Sequence, residues 1–115
     1  MTPEEARQNL RNLFGENLVF NKEFDSQFFR LKETMQQELL KWCNDCKEDK
    51  AQGSVPQNPK YKDKWVFFRK IGNSVRCALV KLKNSEFIEI YLFNHKKYDD
   101  MRLEFGYKKS SYYKS

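Results

Sequence analysis

Arg69 and Arg76 flank Gly72-Asn73, a two-residue turn signal between two apolar runs. With that pair at the tip of a hairpin, the two guanidinium groups face each other across adjacent strands. Like charges so placed repel. A chain keeps them where an anion normally lies between, because a guanidinium fork matches phosphate. Tyr91 and Phe93 fall on the same face of the next strand, which joins aromatic rings to the cations. Such a face suits an unstacked RNA base and its phosphates. The plainer alternative is a solvated outer face with scattered aromatics. His95, the only histidine, comes next, beside Lys96 and Lys97. Imidazole suits proton transfer near neutral pH, although a lone histidine is more often structural. Lys60 and Lys62 form a second basic cluster before the strands, so the two clusters bracket them.

These side chains need a sheet to position them. Period-two alternation predicts strands over Trp65–Ile71, Val75–Leu82 and Phe87–Phe93, with Asn84-Ser85 at the second turn. The expected fold is α+β, with N-terminal helices packed on one face of a small, mostly antiparallel sheet. Val66, Phe68, Val75, Cys77, Leu79, Ile88, Ile90 and Leu92 are expected on the helix-covered face. Trp65, Phe67, Arg69, Arg76, Ala78, Val80, Leu82, Glu89, Tyr91 and Phe93 fall on the other. A slip of one residue in register would exchange the faces of a strand.

The first half reads as helical. Thr2-Pro3-Glu4-Glu5 carries a cap, a proline for the first turn and the acidic partner of a capping box, and Gly15 ends the helix. Leu18-Val19-Phe20 suits one strand. Phe24, Phe28, Leu31, Met35, Leu39, Trp42 and Cys46 keep the helical period and predict one amphipathic helix. Residues 47–59, with Gly53, Pro56 and Pro59, read as the loop between the halves.

A chain of 115 residues fits a single domain. Residues 1–54 carry eight Lys/Arg against ten Asp/Glu, net −2; residues 55–115 carry fourteen against six, net +8. Basic charge gathered in one half points to a polyanionic partner more than to solubility alone. No apolar run is long enough to span a bilayer, so no membrane partner is expected, and the acidic start lacks the features of a secretory signal. Three cysteines do not make a disulfide framework, and the expected location is cytoplasmic. Cys43 and Cys46 form an isolated CxxC. Zinc would need Cys77 and His95 as well, and two small residues on a helix explain the pair far better. No metal or other cofactor is expected.

The order of elements, with Phe24-Asp25-Ser26-Gln27-Phe28 opening the helix, Pro59-Lys60-Tyr61-Lys62 before the sheet, the run Trp65 to Arg76 and the closing Phe93-Asn94-His95-Lys96-Lys97-Tyr98, resembles the RelE/ParE toxin superfamily over about residues 18–100. Asn94 stands where many members have glycine; the first helix and the tail after Asp99 have no counterpart. The resemblance implies a toxin of a toxin–antitoxin pair, with a cognate antitoxin and mRNA on the ribosome as partners. It implies endoribonuclease chemistry: attack by the substrate's 2′-hydroxyl, leaving a 2′,3′-cyclic phosphate. Arg69 and Arg76 would stabilise the phosphate. His95 or Tyr98 would serve as acid–base group. Lys60 and Lys62 would bind phosphate or activate the hydroxyl. Tyr91, Phe93, Lys96 and Lys97 would complete the substrate surface. The same resemblance also admits a gyrase inhibitor of ParE type, and the basic-aromatic tail after residue 100 admits a non-catalytic nucleic-acid or protein-binding module.

Overall fold

Thr2 caps the first helix as its sequence requires. Its side chain accepts from the Glu5 amide while the Glu5 carboxylate accepts from the Thr2 amide, and helix α1 (Pro3–Phe14) stops at Gly15, whose φ of 118° suits glycine. A computed structural model describes residues 1–107. After α1 come strand β1 (Val19–Phe20), helices α2 (Phe24–Phe29) and α3 (Glu33–Lys47), a 3-10 turn at Pro59–Tyr61, strands β2 (Lys64–Ile71), β3 (Val75–Leu82) and β4 (Phe87–Asn94), and helix α4 (His95–Glu104). The architecture is α+β.

The expected long helix is two helices. Lys32 is extended (ψ 155°) and breaks the run. Gln36, buried in α3, repairs the break by donating to the carbonyls of Leu31 (3.2 Å) and Phe28 (3.4 Å). The apolar stripe survives, because Phe24, Phe28, Leu31, Leu39, Trp42 and Cys46 are all buried and the bend wraps them round the core.

The sheet order is β1-β4-β3-β2, antiparallel except that β1 runs parallel to β4. Two residues are a marginal strand. The Asn21 side-chain amide secures it by donating to the Leu92 carbonyl (2.8 Å) and accepting from the Leu92 amide (2.9 Å). Between β3 and β4 the expected register holds from Val75–Asn94 to Val80–Glu89. A bulge then pairs Lys81 with Phe87 and carries Ile88 to the outer face.

The β2–β3 register differs from the expectation. Ile71 pairs with Val75, so the connection has three residues, Gly72-Asn73-Ser74, with Gly72 at φ 64°. One extra residue turns β2 over. Trp65, Phe67, Arg69 and Ile71 therefore face α1–α3, while Val66, Phe68 and Lys70 join the outer face.

That outer face is not open. Helix α4, which stands where the sequence pattern predicts only the end of the sheet and a tail, packs across it through Tyr98, Met101 and Phe105 against Phe68, Ala78, Val80 and Phe93. Its start is encoded by Asn94, whose side chain accepts from the Lys97 amide. Its far end is fastened where Asn58 donates through its amide nitrogen to the Phe105 carbonyl (2.9 Å) and the Tyr61 ring meets Phe105 (4.5 Å). The tail beyond 107 lies outside the described residues.

Cys43, Cys46 and Cys77 are free buried thiols of the core. Burial pushes all three above the ordinary value of 9.0, Cys46 to about 12. The unfolded chain therefore releases these protons first as pH rises. The stability the neutral thiols confer is complete below pH 9 and is lost as pH rises above it, for Cys46 over the interval up to about 12. Thermal melts should show the midpoint falling over that interval. A Cys46→Ala, Cys43→Ala variant should show a shallower fall. At pH 8 the native thiols should react with an alkylating reagent on the order of a hundredfold more slowly than in denaturant, since reaction needs opening of the core.

Candidate functional site

The turned-over β2 separates the two arginines. Arg69 lies on the helix side, where its guanidinium donates to Glu38 of α3 (2.8 Å), each side chain 42% exposed. The expected facing pair does not exist, because one residue more in the hairpin moves Arg69 opposite Cys77 and places Lys70 opposite Arg76.

Arg76 remains on the outer face and is 5% exposed. Its Nη1 donates to the carbonyls of Val75 (3.2 Å) and Asn73 (3.3 Å), while Nε is buried without a partner. Among the described residues it enters no ion pair. Its neighbours across the sheet are Lys70 on one side and Phe93 on the other. Two cations thus stand in one row, and among the described residues neither forms an ion pair with a carboxylate.

His95 enters at the same end. It follows Asn94, which pairs with Val75, and opens α4. Four residues on, Asp99 comes round to the same side of the helix. Its carboxylate is 3.8 Å from His95 Nδ1, with the histidine side chain half exposed and the carboxylate 11% exposed. The buried carboxylate thus stands beside one ring nitrogen of the histidine on one side of the helix. The sequence reading missed Asp99 and Lys70. The signal for Asp99 was its spacing from His95, which carries meaning only once Asn94 is read as a helix cap.

Other expected site residues are dispersed. Tyr98 is wholly buried, edge-on to Phe68 and Phe93, so it is a packing residue here. Phe93 is buried beneath α4. Tyr91 stacks on Phe93 (5.6 Å) and donates its hydroxyl to Glu89 (2.7 Å). Burial, with that carboxylate, raises the pKa of its hydroxyl above the usual phenol range. The pair is therefore not an exposed platform, because α4 covers the face that a base would need. Lys97 is engaged by Glu23, whose carboxyl that contact holds below its usual range; Lys96 is exposed. Lys60 and Lys62 are exposed but stand before β2, at the end of the sheet opposite His95. Eight-residue strands put the two clusters roughly 25 Å apart at about 3.3 Å per residue. The clusters bracket the sheet without meeting.

Among the described residues no group of His, Cys, Asp and Glu could hold a metal ion, and no helix is long and apolar enough to cross a membrane. Comparison with protein-family models, curated proteins and solved structures finds no match to this chain.

Proposed function

We propose that the domain is an RNA-directed toxin of RelE-like type that breaks the RNA backbone by 2′-hydroxyl attack. The observation that carries this reading is Arg76: a buried guanidinium without a carboxylate, in a row with Lys70, at the end of the sheet where His95 and Asp99 begin α4. Arginine is rarely buried unless paired, and a phosphate would supply the missing anion. In the chemistry that follows, His95, oriented by Asp99, takes the 2′-hydroxyl proton. The 2′-oxygen bonds to phosphorus, and charge building on the phosphorane is met by Arg76 and Lys70. The bond to the 5′-oxygen breaks, that oxygen takes a proton from solvent, and a 2′,3′-cyclic phosphate remains. A short strand, a helical segment and an antiparallel meander follow one another in the order on which the family resemblance rests, while the break between α2 and α3 and helix α4 are not part of it. An antitoxin with an acidic segment would cover the same cationic end.

A second reading, RNA binding without cleavage, is favoured by the placement of Arg69 on the opposite face of the sheet, of Lys60 and Lys62 at its opposite end, and of Tyr98 wholly inside the aromatic cluster. Incubating the protein with labelled RNA, alone and with ribosomes, separates the two. Cleavage yields fragments ending in cyclic phosphate, and His95→Gln slows it by about a hundredfold or more, in the range of acid–base contributions. Arg69→Ala should retain activity and most of its stability, since an exposed ion pair contributes only about 0–1 kcal/mol. Salt-sensitive binding with intact RNA would establish the second reading. RNA neither bound nor cut would overturn both.

A further inference from the structure

At the opposite end of the molecule, on the α3 side, the loop after α3 and the far ends of β2 and β3 enclose a cleft of about 650 Å³. That is within the range of small-molecule sites. Its walls combine three lysines, Lys50, Lys81 and Lys83, with one carboxylate, Asp49. Trp65, backed by the buried Phe67, gives it an aromatic wall, and Gln52 and Asn84 lie among its lining residues. None of the residues that handle phosphate at the other end takes part.

The cleft is held open by its own backbone. A Cβ on Gly53 would lie 2.2 Å from Nε1 of Trp65 and 2.9 Å from the Phe67 ring. Only glycine lets the loop lie this close to the indole. Ser54 and Val66 then exchange two backbone hydrogen bonds (3.0 and 2.9 Å), which anchor the loop along β2. Asp49 and Asn84, both at φ 59°, turn the chain at the two lips. The Lys81 ammonium is steadied 5.3 Å over the Phe87 ring. Lys50 pairs at the exposed surface with Glu48 (3.1 Å), a contact weak enough to exchange for a ligand.

The walls select the ligand. An apolar molecule gains nothing from three ammonium groups, and a simple anion has no use for an indole. An aromatic ring bearing negative charge uses both, by stacking on Trp65 and neutralising the lysines. The amides of Gln52 and Asn84 offer donors and acceptors to a ring edge carrying the same. We propose that this cleft binds a nucleobase carrying phosphate, supplied either as a free nucleotide or as one unit of a single-stranded RNA. The site stands apart from the RNA-cleaving end and does not depend on it.

The test follows the two indole N–H signals of the whole protein by heteronuclear NMR, with Trp65→Phe assigning them; Trp42, in the core, serves as internal reference. Adenosine monophosphate and a short oligoadenylate are titrated separately, with adenosine and inorganic phosphate as partial ligands. The Trp65 signal should shift saturably and Trp42 should stay still. Lys81→Ala with Lys83→Ala should weaken binding by about tenfold or more, as expected for lost charge-assisted contacts. Tighter binding of the monophosphate assigns a free nucleotide; tighter binding of the oligomer assigns an RNA unit. Arg76→Met should leave the shift with adenosine monophosphate unchanged, which keeps this site separate from the first. A Trp65 signal unmoved by both ligands, or equal affinity in the double lysine variant, would overturn the proposal.

Discussion

Arg76→Met should lose RNA cleavage and most RNA binding while the free protein becomes no less stable. The two halves of that result have one cause. The guanidinium is 5% exposed, its Nε has no acceptor and no carboxylate lies within ion-pair distance among the described residues. Lys70 faces it across the strand pair, which adds repulsion. Two backbone carbonyls at 3.2 and 3.3 Å compensate only part of the desolvation. Methionine fills similar space beside Phe93 and carries no charge. Replacing a poorly compensated buried charge in this way is neutral or stabilising by about 1–4 kcal/mol. Removing a phosphorane-stabilising cation typically lowers the rate by about a hundred- to a thousandfold. Arg76→Lys keeps the charge but not the fork, so it should recover binding better than cleavage. Denaturant titration and an RNA-cleavage assay on the same samples decide the matter. If Arg76→Met loses more than about 2 kcal/mol, the arginine is a structural group. If RNA is handled normally, the phosphate assignment is wrong.

Much of the fold was legible because local chemistry and tertiary burial agree. The capping box and Gly15 delimit α1, the apolar stripe through Cys46 marks the core side of α2 and α3, and alternation sets the bounds of β2, β3 and β4 within about a residue. The functional face was less legible, because it rested on one turn. Gly72-Asn73 is a two-residue signal, yet Ser74 joins the loop, and a single added residue reverses every side chain of β2. Val66 and Phe68 are as apolar as Phe67 and Ile71, so both faces of this strand can be buried and hydrophobicity gives no vote on the register. The reason both faces are buried is α4. Its sequence, His-Lys-Lys-Tyr-Asp-Asp-Met-Arg-Leu-Glu, is mostly charged. An apolar stripe is the usual mark of a packed helix, and here Tyr98, Met101 and Arg102 stand in for it.

Those anchors make Tyr98→Ala the most damaging substitution we expect in α4. The tyrosine is wholly buried and meets two rings edge-on, Phe68 at 5.4 Å and Phe93 at 5.7 Å. The Arg102 guanidinium lies 4.8 Å over the Phe68 ring and 5.8 Å from the Tyr98 ring, so the arginine is held by the same cluster. Truncating a buried aromatic side chain lowers stability by about 3–5 kcal/mol, and each lost edge-on pair adds about 0.5–1.5 kcal/mol to what area alone would give. A small domain has only about 5–15 kcal/mol in total. The midpoint of thermal unfolding should therefore fall by roughly 10 °C or more. Leu103→Ala, on the same helix but 57% exposed, should change stability by less than about 0.5 kcal/mol. The loss should also have a location. Without Tyr98 the helix keeps too little apolar contact to stay docked, so amide exchange in α4 should quicken before that of β3, and the outer face should begin to bind a hydrophobic dye. His95 and Asp99 ride on that helix, so RNA cleavage should fail at temperatures where the sheet is still folded. A Tyr98→Ala protein within 1 kcal/mol of the parent would mean that α4 is held by its ends alone, at Asn94 and at the Asn58–Phe105 contact, and that the site it carries does not depend on the aromatic cluster beneath it.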